Sequence, residues 1–242
     1  MHKTAIIPAR YGSTRLPVKP LRLIAGLSLI NRVYDAVDQT NLFDRIIIAT
    51  DHEDIVQHVK SFQGEVMLTS PNNPTGTDRV EECARLLNTD LVVNIQGDEP
   101  FITREPLELL IDSFQNSQVH IGSIMSIFTR EDEITNPNCV KVIVDRNFDA
   151  LYFSRAVIPY NRDANTSIVY YKHFGIYAFR PLMLKLFVSL PQGILEQIEK
   201  LEQLRFLENG YKIKMVLTNY NGIGIDTPND LQIAELRLNN CP

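Results

Sequence analysis

Residues 45–69 read RIIIATDHEDIVQHVKSFQGEVMLT, and the order of these side chains decides the fold class. Arg45–Thr50 is a short apolar run without alternation, the pattern of a strand buried on both faces. Glu53–Phe62 then gathers Ile55, Val56 and Val59 on one side among polar residues, which predicts an amphipathic helix. Asp51 is placed to cap that helix and Gly64 to end it. Val66–Thr69 returns to strand. A strand–helix–strand unit with short connections makes its two strands parallel neighbours.

The same alternation extends in both directions. Thr4–Pro8, Leu91–Gln96 and Ile121–Phe128 read as strands, and Leu29–Thr40, Asp78–Leu87 and Pro106–Gln115 as helices. The expected fold is therefore α/β: a Rossmann-like, mostly parallel twisted sheet with helices on both faces. Beyond it the pattern changes. Val140–Asp145 and Ala150–Ser154 flank the turn-rich Arg146-Asn147-Phe148-Asp149, which predicts a hairpin. A loop (159–167), a strand near Gly175–Phe179, helices at Leu182–Leu190 and Leu195–Glu208, a strand at Lys212–Leu217 and a helix at Asp230–Leu238 follow. No Gly/Ser-rich linker divides the chain, so residues 1–242 read as one domain with an antiparallel arm inserted at about 130–190.

A chain of 242 residues buries roughly 70–75% of its unfolded surface and needs no covalent staple. Its 44% hydrophobic and 22% charged residues are ordinary globular composition, which excludes disorder and collagen-like readings. Three cysteines without CxxC spacing exclude a disulfide scaffold and suit a reducing cytoplasm. His52 and His58 stand about 240° apart on a helix, so one ion cannot take both from one face. The apolar run before Arg10 is too short for a signal-peptide core, and no run reaches the roughly 18 residues of a spanning helix. The net charge of −5 counts against nucleic acid as a partner. Any polyanion must be met by a few cations gathered locally.

One such cluster follows the first strand. Residues 8–20, PARYGSTRLPVKP, place Arg10, Arg15 and Lys19 on a loop stiffened by proline and loosened only at Gly12. In doubly wound sheets ligands bind at the C-terminal ends of strands, where this loop lies. Two guanidinium forks and an ammonium suit a polyphosphate, although a solvated basic loop is the plainer alternative. Pro17 stands where a Walker A loop needs its second glycine, and a single glycine is no GxGxxG fingerprint. The fourth strand runs into Gly97-Asp98, which puts a carboxylate at the same sheet edge, where a turn role is equally open. Asp226 precedes Thr227-Pro228, a helix start that explains its neighbours and leaves Asp226 spare. Thr75-Gly76-Thr77-Asp78-Arg79 precedes the third helix, where backbone N–H groups can bind a base edge or an anion, with Thr77 or Asp78 as a plain cap the equally open alternative. Along Leu195–Glu208, Glu202 and Arg205 fall inside the apolar arc, either pairing with each other or facing a polar ligand.

Taken together these stretches closely resemble the 3-deoxy-manno-octulosonate cytidylyltransferases. The matching segments are IIPARYGSTRLPVKPL (6–21), ATDHEDI (49–55), TGTDR (75–79), VNIQGDEP (93–100), ALYFSRAVIPY (150–160), KHFGIYAFR (172–180), LEQIEKLEQLRFLENGYKIK (195–214) and GIDTPNDL (224–231). They run in family order over nearly the whole chain. The first is shared by many sugar nucleotidyltransferases; those at 150–160, 172–180 and 195–214 are far more specific. The resemblance implies that the sugar's anomeric hydroxyl attacks the α-phosphate of CTP, giving the CMP-sugar and pyrophosphate for lipopolysaccharide biosynthesis. It implies that Arg10, Arg15 and Lys19 hold the triphosphate beside Pro8 and Ala9, with Gly76, Thr77 and Arg79 near cytosine and ribose. Lys19, Asp98 and Arg10 would be the catalytic residues, with Asp98 and Asp226 ligating Mg²⁺. Gln96, Arg155, His173, Tyr177, Glu202 and Gln203 would surround the acidic sugar, Arg155 facing its carboxylate. A cytoplasmic homodimer, with the arm at its interface, is implied as well.

Two departures stand out. Val18 replaces the glycine usual before the loop lysine, and a β-branched residue resists positive φ, so a left-handed position here would require a rerouted loop. Pro74-Thr75-Gly76 replaces the common Ser-Gly. The nearest rival substrates are 8-amino-3,8-dideoxy-manno-octulosonate and an acylneuraminate. A non-catalytic nucleotide-binding protein is the remoter alternative.

Overall fold

The computed structural model describes residues 1–13, 16–163 and 168–239. It groups into two compact units, Met1–Arg104 with Asn221–Pro242, and Glu105–Tyr220. The arm expected at about 130–190 falls inside the second unit, which begins earlier and ends later.

The first unit opens with β1 (Lys3–Ala9), a 3₁₀ turn (Lys19–Leu21) and a two-residue hairpin, β2 (Leu23–Ile24) and β3 (Leu27–Ser28). Ala25 and Gly26 turn that hairpin at φ of 45° and 84°. Then follow α1 (Leu29–Asp38), β4 (Arg45–Thr50), α2 (Glu53–Ser61), β5 (Glu65–Leu68), α3 (Gly76–Ala84) and β6 (Leu91–Asn94). β1 pairs in parallel with β4 and with β6, and β4 with β5, so the sheet order is β6-β1-β4-β5. Ile6, Ile7, Ile47, Ile48, Val92 and Val93 are fully buried, as strands covered on both faces require. Val33 and Val37 of α1 and Ile55 and Val59 of α2 supply the covering layer. The chain adds strands outward from β1 to β5 and then returns to the far side of β1 with β6. That reversal opens a crevice between the carboxyl ends of β1 and β6.

The second unit begins as α4 (Arg104–Ser113) leaves the first. It comprises β7 (Ile121–Ile127), a short α5 (Glu131–Thr135), β8 (Lys141–Val144), β9 (Ala150–Ser154), β10 (Tyr171–Phe179), α6 (Pro181–Ser189), α7 (Ile194–Glu199), α8 (Leu204–Glu208) and β11 (Lys214–Leu217). β8 and β9 form the expected antiparallel hairpin, and Asp145 ties its turn by accepting from the Asn147 and Asp149 N–H groups. β10 runs antiparallel to β7 and β11 parallel to it. Phe153, Phe179, Phe187 and Phe206 fill the core. α9 (Pro228–Asn239) belongs again to the first unit.

Several local expectations need correction. His52, not Asp51, caps α2: its Nδ1 accepts from the Asp54 N–H at 3.2 Å, which frees Asp51 for other partners. The left-handed residue after α2 is Gln63, at φ 62°, and not Gly64. A Cβ on Gly64 would lie 2.6 Å from the Phe62 ring, so that glycine answers to packing. α3 is capped by Thr75, whose Oγ1 accepts from Asp78 N–H and donates to the Asp78 carboxylate. The helix expected over Leu195–Glu208 breaks at Lys200, left-handed at φ 54°. Arg205 pairs with Glu196, through two bonds of 2.8 and 2.6 Å, and stacks on Phe187 at 3.9 Å.

Candidate active site

The crevice holds a pocket of about 400 Å³, within the range of small-molecule sites. Pro8, Ala9 and Arg10 come from the end of β1, Lys19 and Pro20 from the loop, Thr75, Gly76 and Arg79 from the start of α3. Gln96, Gly97 and Asp98 follow β6, and Asp226 precedes α9. Thr77 is buried just behind the α3 start. Arg15 lies outside the described residues.

Gly97 permits the crevice to close at its base. A Cβ there would sit 2.8 Å from the Pro8 carbonyl oxygen, so only glycine lets the ends of β1 and β6 approach this closely. Asp98 is the next residue, and its carbonyl accepts from the Ile225 N–H at 2.9 Å. That single backbone bond brings the distant Asp226 alongside. The Asp230 carboxylate fixes the same segment, accepting from the N–H groups of Asp226 and Thr227 and from the Thr227 hydroxyl. Thr227 and Pro228 thus start α9, as their sequence signal predicts.

The Lys19 ammonium is shared by two carboxylates, 2.7 Å from Asp98 Oδ2 and 3.0 Å from Asp226 Oδ1. Burial acts to lower its pKa, but Asp98 and then Asp226 outweigh that and leave it raised, so it stays a cation. Val18, ahead of it, is left-handed at φ 55°, ψ 38°. The loop is not rerouted around the β-branched residue; Val18 carries the strain, roughly 1–2 kcal/mol. Arg10 is exposed and makes no hydrogen bond to a described residue.

Arg79 is only 3% exposed. Its Nη2 pairs with Asp51 Oδ2 at 2.9 Å, and its Nη1 reaches the Thr69 hydroxyl. Asp51 Oδ1 accepts from the Tyr11 N–H at 2.9 Å, and the Tyr11 ring stacks on His52 at 3.7 Å. Arg79 therefore both lines the pocket and joins α3 to the cationic loop. Gly97, which lines the crevice, and Asp51, which holds Arg79 behind it, are among the residues whose part in the site sequence reasoning missed. ATD at the end of β4 carried the signal for Asp51, and its proximity to a helix start obscured it.

The remaining candidates lie in the second unit. His173 is nearly buried, with Nε2 3.1 Å from Ser123 Oγ, and burial pushes its pKa down to about 3. Tyr177 lies 5.4 Å from it, ring to ring, and its buried hydroxyl has no hydrogen-bond partner among the described residues. Burial, and after it the nearby Glu202, holds the Tyr177 pKa well above its ordinary value. The Gln203 Nε2 amide, also buried, is a second donor without a partner among the described residues. Such orphaned groups are rare in native interiors, so each calls for a partner. Arg155 caps α7: Nε donates to Glu199 O at 2.8 Å and Nη1 to Pro137 O at 2.9 Å, with Nη2 at 3.5 Å from Lys200 O. One N–H on each Nη is left without a partner among the described residues.

Comparisons with known proteins agree with one another. The family model described as cytidylyltransferase matches residues 4–213. The 3-deoxy-manno-octulosonate cytidylyltransferase of Flavobacterium johnsoniae is 47% identical, over 97% of each chain. An 8-amino-3,8-dideoxy-manno-octulosonate cytidylyltransferase of Shewanella sediminis is 43% identical, over 98% of this chain and 99% of its own. The solved structure of a CMP:2-keto-3-deoxy-manno-octonic acid synthetase complexed with CTP superposes with a TM-score of 0.94 at 36% identity, covering 99% of both chains.

Proposed function

We infer the division of labour among these residues from one premise: the chain belongs to the cytidylyltransferase family, in its 3-deoxy-manno-octulosonate branch. The protein transfers CMP from CTP to the anomeric hydroxyl of that sugar acid and releases pyrophosphate. The observation that carries the assignment of roles is the ion triad of Lys19, Asp98 and Asp226 in the crevice.

Two hard carboxylate oxygens converge there on a single cation. Mg²⁺ takes one or two carboxylates together with phosphate oxygens, so the donor set fits it, with Asp98 and Asp226 as its protein ligands. When bound, the ion neutralises charge on the triphosphate and on the departing pyrophosphate. The chain's own part is positioning. In-line displacement at phosphorus needs little covalent help and much alignment. Arg10, Arg15 and Lys19 hold the phosphates, Arg10 having no partner among the described residues. Gly76, Thr77 and Arg79 define the base and ribose side, and Gln96 the sugar side. In the second unit the spare Arg155 N–H groups suit the sugar carboxylate, while His173, Tyr177, Glu202 and Gln203 meet its hydroxyls.

A second reading, in which the acceptor is the 8-amino sugar, is favoured by the Shewanella sediminis relative, nearly as similar as the first. Pyrophosphate release with 3-deoxy-manno-octulosonate, its 8-amino analogue and an acylneuraminate, each under CTP and UTP, separates these readings. The first sugar with CTP should be fastest. Equal rates with UTP would refute the base assignment, and a preference for the amino sugar would move the chain to the second reading. The family further suggests a cytoplasmic homodimer in lipopolysaccharide biosynthesis. Cysteines without paired spacing support the compartment. Among the described residues no helix is long and apolar enough to cross a membrane.

A further inference from the structure

Opposite Ser123 the β7–β10 ladder slips. Phe174 pairs with Ile124 and Tyr177 pairs with Ser123, so Gly175 and Ile176 form a bulge with no opposite residues. The bulge frees backbone carbonyls in a buried place, where they need donors. Ser123, itself fully buried, answers them: its Oγ lies 2.8 Å from Ile176 O and 3.3 Å from Phe174 O. The same oxygen is 3.1 Å from His173 Nε2.

A serine hydroxyl has one proton, and a carbonyl can only accept. If that proton pointed at His173, the 2.8 Å approach to Ile176 O would set two oxygens against each other without a hydrogen between them. The proton therefore goes to Ile176 O, and Ser123 Oγ is left as an acceptor toward the imidazole. We propose that Ser123 is a positioning residue that locks His173 as its Nε2–H tautomer, making Nδ1 a fixed acceptor for a hydroxyl of the sugar. With Nε2 carrying the ring's one proton, Nδ1 keeps a bare lone pair, and it makes no hydrogen bond to any described residue. Burial keeps the ring neutral at pH 7. Phe153, edge-on at 4.8 Å, and Tyr177 hold the plane of the ring. A bare lone pair welcomes an O–H and repels a carboxylate, so His173 orients the sugar oppositely to Arg155. The inference rests on reading His173 as a sugar-site residue.

The test uses the full chain labelled with ¹⁵N-histidine, the His173 signals being identified by their loss in His173→Asn. Long-range ¹H–¹⁵N correlation at pH 7 should show a protonated, pyrrole-type Nε2 and a pyridine-type Nδ1. In Ser123→Ala the two tautomers should mix, and the sugar KM should rise about tenfold, the effect of one hydrogen bond, while the KM for CTP holds. Ser123→Thr, which keeps the hydroxyl, should restore both readouts. An Nδ1–H tautomer or a doubly protonated ring in the unaltered protein overturns the proposal, as does a tautomer indifferent to Ser123→Ala. If the tautomer responds but neither Ser123→Ala nor His173→Asn moves the sugar KM, the ligand half of the proposal falls, and with it the place of His173 in the sugar site.

Discussion

Asp51 serves two segments at once, the Tyr11 backbone through one oxygen and the Arg79 guanidinium through the other. Removing it leaves a buried cation short of its counter-charge, and broken buried pairs cost about 3–5 kcal/mol. Thr69 still serves Arg79, so Asp51→Ala should cost about 3 kcal/mol in urea unfolding; a loss below about 1 kcal/mol would make the pair a bystander. His173 gives a pH signature at the same scale. Its pKa falls from the ordinary 6.5 when unfolded to about 3 when folded, so below pH 6.5 the unfolded chain takes up a proton the native state refuses. Stability is therefore full above pH 6.5 and declines as pH falls toward 3. At pH 5 the loss amounts to about 2 kcal/mol, which His173→Asn should abolish from the measured pH slope. The sequence made His173 a candidate only through resemblance. Nothing in Lys172-His173-Phe174 reveals that a bulge and a facing serine surround the ring.

The regular elements of the first unit were legible because they carry a pattern: β1, β4 and β6 are buried apolar runs, α1 to α3 show one apolar side, and the largely uncovered edge strand β5 follows from the strand–helix–strand frame. Elements fixed by a single residue's backbone were not. The break between α7 and α8 sits at Lys200, a residue without the glycine or proline that normally announces it. The two-residue strands β2 and β3 are too short for any alternation to show. Gly97 belongs to the same class, since its reason is the Pro8 carbonyl of another strand. Gly97→Ala should push the ends of β1 and β6 apart, move Asp98, and lower kcat/KM for CTP at least about tenfold, with about 1–3 kcal/mol of lost stability. Gly76→Ala is the control for stability. Its Cβ would meet Pro8 and Gln96 at 3.6 and 3.8 Å, ordinary contact, so the fold should hold. Equal losses of stability in both variants would show that any methyl in the crevice is disruptive and remove the special standing of Gly97.

At the scale of the molecule, a net charge of −5 is compatible with an anionic substrate because the opposing charges are sorted locally. Lys19 already compensates Asp98 and Asp226, so a divalent ion alone must compete with an ammonium held at 2.7 and 3.0 Å. The triphosphate removes that competition by offering Lys19 another anion. Metal and nucleotide should therefore bind cooperatively, and global unfolding reports it through linkage, since any ligand of the native state raises Tm. Mg²⁺ alone should shift Tm little, and CTP with chelator only modestly. Both together, at about a hundredfold over the apparent Kd, should add about 2.7 kcal/mol, or roughly 5–10 °C for a chain of this size. Replacing Lys19 by Met removes the competitor and leaves two carboxylates facing each other, so the shift with Mg²⁺ alone should grow while the joint shift shrinks. If Mg²⁺ alone stabilises the unaltered protein as much as the pair of ligands does, or if chelator leaves the CTP shift intact, Asp98 and Asp226 do not hold the ion in the way their shared cation implies.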